Sequence, residues 1–185
     1  MRLSFLQFLL EYPVSYFEAL PAATPPARVE EAAERFGLSD HIKWKWLTNK
    51  QFTHSFELET DQPDGIIAMR KCDILENWFH ELGHEILDHA NKDVVNDVIK
   101  PLLDRIRDEC RPSHAWLKKQ TGRHYKWIEL GGYKYTYSHS GKSFEYDELF
   151  AITLSYTYMG GKFNNANIQK EYTDMLDRIA ADSRS

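Results

Sequence analysis

Five residues constrain this chain more than any others: His80-Glu81-Leu82-Gly83-His84 reads as H-E-x-x-H. On a helix of 3.6 residues per turn, positions four apart lie about 40° from one another, so both imidazoles can converge on one cation. The glutamate between them stands where a carboxylate can take a proton from water. A chain built around this pentapeptide needs a helix with one polar side facing a cleft and one apolar side in the core. It also needs a third ligand from elsewhere, because zinc sites with an open position use three protein ligands.

The surrounding residues supply that helix. Asp73-Ile74-Leu75-Glu76 fits a capping box in its Asp form and predicts a helix running to about residue 90. With His80 at 0°, the residues His84, Asn77, Asp88 and Glu81 fall between about 40° and 100°, an entirely polar sector. Leu75, Trp78, Phe79, Leu82, Ile86 and Ala90 fill the opposite sector. Gly83 costs such a helix about 1 kcal/mol relative to alanine, and close packing against a neighbouring element explains its presence.

The 185 residues, 42% hydrophobic, suffice for one domain with its own core and are too few for two large ones. A single domain over 1–185 is expected, with residues 1–27 forming an N-terminal helix and a Pro-rich connector at Pro21-Ala22-Ala23-Thr24-Pro25-Pro26. The net charge of −5, with Lys and Arg scattered, argues against nucleic acid as a partner. Two cysteines, Cys72 and Cys110, are too few for a disulfide framework. Gln7 and Glu11 break the apolar run after Arg2 before it becomes a signal-peptide core, and no stretch reaches the length of a membrane span. A cytoplasmic location is the default expectation, with secretion left open.

Further elements follow from periodicity. A short helix over 29–36 closes at Gly37. Residues 52–60 alternate as a strand, with His54 a packed core histidine on its apolar face, and 66–69 returns as a second strand after Asp61-Gln62-Pro63-Asp64-Gly65. A helix over 92–110 is kinked or split by Pro101. Runs at 125–130 and 133–137 flank Gly131-Gly132 as a hairpin placing Tyr133, Tyr135 and Tyr137 on one face. Helices are expected over 144–159 and from about 168 to 181.

Geometry narrows the third ligand without fixing it. His89 lies about 160° from the midpoint of the two ligand histidines and so points toward the core. It also stands one residue short of the third histidine in an H-E-x-x-H-x-x-G-x-x-H pattern, whose glycine is here Leu87. Asp88 is on the correct face but about 12 Å along the axis from His80, which suits it to orienting an imidazole rather than to ligation. The stretch Phe144-Glu145-Tyr146-Asp147-Glu148-Leu149-Phe150-Ala151 offers Glu148, with Glu145 on the same face as a competitor and Asp147 turned about 100° away.

The H-E-x-x-H helix followed by Glu148-Leu149-Phe150-Ala151 resembles the gluzincin metallopeptidases, most closely the catalytic domain of the anthrax lethal factor type. The resemblance implies Glu148 as third ligand, Zn²⁺ as cofactor and a tyrosine shortly before that glutamate to stabilise the transition state. Gly141 stands at the tyrosine's usual spacing, so that role passes to Tyr137, with Tyr135 and Tyr146 as alternatives, and Ile152 replaces an acidic residue common after the alanine. His124 and His139 are further donors in polar stretches. The string from His80 to His89 is also similar to the ImmA/IrrE-type regulatory peptidases, which usually place the third ligand nearer to the motif. Residues 1–65 carry no resemblance.

The expectation is therefore an α+β, zincin-like domain, mostly helical, with a small antiparallel sheet or hairpins and a central H-E-x-x-H helix. His80, His84 and Glu148 would bind zinc, Glu81 would serve as general base and Tyr137 as oxyanion donor, cleaving a protein or peptide substrate. Two other readings are a regulatory peptidase that cuts one repressor and a non-catalytic zinc-binding interaction protein. The intact Glu81 argues against the latter, since a purely structural site needs no base.

Overall fold

The computed structural model of the chain describes residues 14–47, 64–71, 73–109, 117–118, 124–130, 133–139 and 144–183. Helix α1 (Val14–Ala19) leads into the proline-rich connector, and residues 1–13 of the expected first helix lie outside the described residues. Helix α2 (Ala27–Arg35) buries Val29, Ala32 and Ala33. It ends where Gly37 adopts a φ of 71°, which lets the Leu38 amide reach back to the Ala33 carbonyl at 2.9 Å.

Strand β1 (Lys43–Trp46) pairs in parallel with β2 (Ile66–Met69), Lys43 opposite Ile66 and Trp46 opposite Met69. The connector borders β1 on its other side: the Ala23 amide donates to the Trp44 carbonyl at 2.9 Å, and Ala22 bridges Lys45. This corrects the antiparallel pairing expected for 66–69. The expected partner, 52–60 with His54, lies outside the described residues. All four residues of β2 are buried, as suits a parallel strand covered on both faces. Lys43-Trp44-Lys45-Trp46 alternates over only four residues, half of them charged, so it carries little strand signal.

Helix α3 (Leu75–His89) carries the pentapeptide and buries Trp78, Phe79, Leu82, Gly83 and Ile86. The expected capping box does not form. Ile74 is the N-cap residue and no side chain caps the helix. The buried Asp73 carboxylate instead accepts from the Arg70 amide at 2.6 Å and from Asn77 Nδ2 at 3.0 Å, and pairs with the Arg70 guanidinium. Charge-assisted donors so close outcompete the helix amides.

The next helical run is divided, as Pro101 requires. Helix α4 (Lys92–Val94) passes through a π-helical stretch (Val95–Ile99) into α5 (Lys100–Glu109). Proline has no amide to donate and clashes with the preceding turn, and one widened turn accommodates both. Strands β3 (Leu117–Lys118), β4 (His124–Leu130) and β5 (Tyr133–His139) form an antiparallel sheet, with Leu130 opposite Tyr133 and Lys126 opposite Tyr137. The Gly131-Gly132 turn lies outside the described residues.

Helix α6 (Phe144–Tyr158) is buried on nearly every side from Leu149 to Tyr156. Helix α7 (Ala166–Asp182) starts at Asn165, whose side chain accepts from the Asn167 and Ile168 amides. The described residues are thus mostly helical, α+β in broad terms, with the two small sheets beside a core running from Val29 to Ala180. No helix among them is long and apolar enough to cross a membrane.

The most extensive helix–helix contact joins α3 to α6, and Gly83 makes it possible. A Cβ at residue 83 would lie 2.7 Å from Ala151 Cα and 3.2 Å from Ala151 Cβ, so only glycine allows this approach.

Candidate metal centre

The crossing of α3 and α6 sets the geometry of the site. His80 and His84 sit one turn apart on the half-exposed side of α3, and Glu148 projects from the first half of α6 toward both. His80 Nε2 lies 3.2 Å from His84 Nε2 and 3.5 Å from Glu148 Oε2, and His84 Nε2 lies 3.7 Å from Glu148 Oε1. Ligands held at about 2.0–2.1 Å around a tetrahedral ion stand about 3.3 Å from each other. The three side chains are therefore near ligand spacing and could hold a divalent ion. Each is about a quarter exposed, so the site is open to solvent.

The structure brings in a residue that sequence reasoning turned away. Asp147 Oδ1 lies 2.8 Å from His84 Nδ1. The contact is short, and both atoms are buried without another hydrogen-bond partner among the described residues. A carboxylate on Nδ1 fixes the ring so that Nε2 faces His80 and Glu148. The expectation that Asp88 orients an imidazole is thereby corrected, because Asp88 is exposed and the orienting carboxylate comes from α6. An imidazole offers nitrogens on two sides of one ring, so His84 can touch Glu148 and Asp147 at once even though these diverge on their own helix.

The electrostatics are strong. Burial opposes a charge on His84, but Asp147, Glu81 and Glu148 outweigh it and push the imidazole's pKa up to about 10. Burial likewise disfavours a charged Glu148, yet the hydrogen bond from His80 and the nearby His84 hold its carboxyl below the ordinary value. Burial and the charge on Asp147 raise the carboxyl of Asp88.

Glu81 lies on α3 between the two histidines, half-buried, and its charge acts on His84. Glu145 occupies the first turn of α6, its side chain outside the described residues. The Tyr146 hydroxyl reaches both oxygens of Asp104 at 3.0 and 3.1 Å. Tyr135 and Tyr137 have their backbones in β5, which packs against α6, while their side chains, like those of His124 and His139, lie outside the described residues.

His89 departs from expectation in a different way. It takes no part in the His80, His84 and Glu148 group, but it does not face the core either. Its ring stands at the surface beside His41, 4.3 Å between ring centres. Two groups among the described residues could hold a metal ion: His80, His84 and Glu148, and a second comprising His41, Asp64, Glu85 and His89. No family model, curated protein or solved structure matches the chain.

Proposed function

We propose that the chain is a zinc-dependent peptidase of the gluzincin kind, a zincin-like domain hydrolysing peptide bonds in a protein or peptide substrate. The observation that carries this reading is the convergence of His80, His84 and Glu148, from two distant stretches of sequence, at mutual distances of 3.2 to 3.7 Å. Together with Glu81 they make up a two-histidine, one-carboxylate ligand set with a base beside it.

When bound, the ion supplies Lewis acidity that polarises a carbonyl and acidifies water toward neutrality. The chain's own residues do the rest. His80, His84 and Glu148 hold the ion, and Asp147 keeps His84 in the tautomer that presents Nε2. Glu81 accepts a proton from the attacking water as its oxygen bonds to the scissile carbonyl carbon. It then delivers that proton to the amine nitrogen as the carbon–nitrogen bond breaks. Tyr137 on β5 donates to the carbonyl oxygen as charge builds there, with Tyr135 as the alternative.

Bound zinc and peptide cleavage, measured together on the wild type, Glu81→Gln, Glu148→Ala and Glu145→Ala, test this reading. Glu81→Gln should keep its zinc and lose activity by a factor of about 10² to 10⁴, the usual contribution of a general base. Glu148→Ala should lose the ion, and Glu145→Ala should not. Full zinc in Glu148→Ala with loss in Glu145→Ala would reassign the ligand. A zinc-loaded wild type inert toward a broad peptide library would sink the peptidase.

A further inference from the structure

The sequence His80-Glu81-Leu82-Gly83-His84-Glu85-Ile86-Leu87-Asp88-His89 holds two helical chelate pairs in tandem, not one. Glu85 and His89 repeat the four-residue spacing of His80 and His84, and their shared direction lies about 140° around the helix from that of the first pair. The second pair therefore opens onto a different side of α3. That side faces two turns. One holds His41, just before β1; the other holds Asp64, just before β2.

The four side chains converge on one small volume. His41 Nε2 lies 3.2 Å from Asp64 Oδ1, His89 Nε2 lies 3.6 Å from the same oxygen, and His89 Nδ1 lies 3.9 Å from Glu85 Oε2. One candidate ligand atom from each of the four residues falls within 4.8 Å of all the others. The tautomer of His89 is set by the backbone: its Nδ1 stands 2.9 Å from the Glu85 carbonyl, which can only accept, so Nδ1 carries the proton and Nε2 keeps its lone pair toward Asp64. Gly65 belongs to the construction too. Its φ is 72°, and a Cβ there would lie 2.9 Å from the His41 carbonyl and 3.0 Å from His41 Nε2. Any other residue would push the Asp64 turn off His41.

We infer that His41, Asp64, Glu85 and His89 form a second divalent-metal site, one that clips the turns before β1 and β2 to the C-terminal end of the helix bearing the first site. Two neutral imidazoles and two carboxylates balance the charge of a dication. Imidazole donors select Zn²⁺ and its neighbours over Mg²⁺ and Ca²⁺, which take oxygen ligands. With four protein ligands the site is closed, and a closed tetrahedral site is structural rather than catalytic. As ion pairs alone, contacts to an Asp64 so exposed would stabilise little. An ion across it joins three segments far apart in sequence and fixes the end of α3, hence the direction in which His84 points.

The test is zinc stoichiometry, by equilibrium dialysis of the full chain against Zn²⁺ alone with excess Mg²⁺ present. Asp64 is 80% exposed and His89 lies at the surface, so Asp64→Asn and His89→Gln should fold, which far-ultraviolet circular dichroism checks. Two equivalents are expected in the wild type, one in each of these variants, one in Glu148→Gln, and none in His89→Gln combined with Glu148→Gln. Zn²⁺ should raise the melting temperature of Glu148→Gln, and Asp64→Asn added to it should abolish the rise. The outcome separates the two sites. A single equivalent lost in Asp64→Asn but kept in Glu148→Gln upholds this site and removes the first. A wild-type stoichiometry unchanged by both Asp64→Asn and His89→Gln overturns the proposal.

Discussion

The His84 ring concentrates the chemistry of the first site, and two predictions belong to it. In the metal-free chain its pKa is raised to about 10, so at neutral pH the ring is charged and must lose its proton to accept a metal ion. Metal affinity should therefore rise as pH increases from neutral toward 10. Uptake at pH 7 should release about one proton from this ring, read by calorimetry in buffers of differing ionisation enthalpy; buffer-independent heats would contradict it. For the metal-free fold the sign reverses. A raised histidine pKa contributes stability fully present below the unfolded value, about 6.5, and lost as pH climbs through 10. Metal-free protein should thus melt lower at pH 10 than at pH 6. Asp147→Asn should remove the main support for the charged ring and so reduce the proton release at pH 7; above pH 10, where the ring is neutral in both proteins, it should weaken metal binding about 10- to 100-fold, the usual effect of losing such a partner. Unchanged affinity in Asp147→Asn would mean that the short contact is incidental.

Among the elements, α3 and α6 depend on each other through one missing methyl group. Gly83→Ala gains about 1 kcal/mol of helix propensity, yet it places a carbon 2.7 Å from Ala151 Cα. Overpacking of this kind costs about 1–3 kcal/mol, so the melting temperature should change modestly and downward. Metal affinity should suffer more, by about tenfold or beyond, because the helices can relax only by separating the two histidines from Glu148. Equal affinity in wild type and Gly83→Ala would show that the glycine serves packing alone. The wheel of α3 anticipated this close approach. It misjudged Asp73, because local periodicity does not register a competing Arg70 three residues before it.

Across the whole molecule, α6 is held from behind by α7. The Tyr172 hydroxyl donates to Thr153 Oγ1 at 3.0 Å in full burial, while Thr153 donates to the carbonyls of Leu149 and Phe150 in the turn after Glu148. Tyr172→Phe leaves Thr153 with its own acceptors and should cost about 0.5–1.5 kcal/mol, as for one net hydrogen bond. The loss should appear in chemical denaturation with little effect on zinc content. A large fall in zinc content would instead show that α7 positions Glu148 through α6.

The sequence by itself determined the helix of the pentapeptide, its polar and apolar sides, the last helix α7 and the β4–β5 strands, because each is written in the period of a few adjacent residues. It also narrowed the third ligand to the two carboxylates Glu145 and Glu148. Tertiary structure decided what periodicity cannot carry: the parallel pairing of β1 with β2, the approach of Glu148 to both histidines, the turn of Asp147 onto His84, and the meeting of His41 and Asp64 with Glu85 and His89. A helix wheel reports directions about one axis. Whether two directions meet depends on how the axes cross, and that is set by packing, here by the absence of a side chain at Gly83.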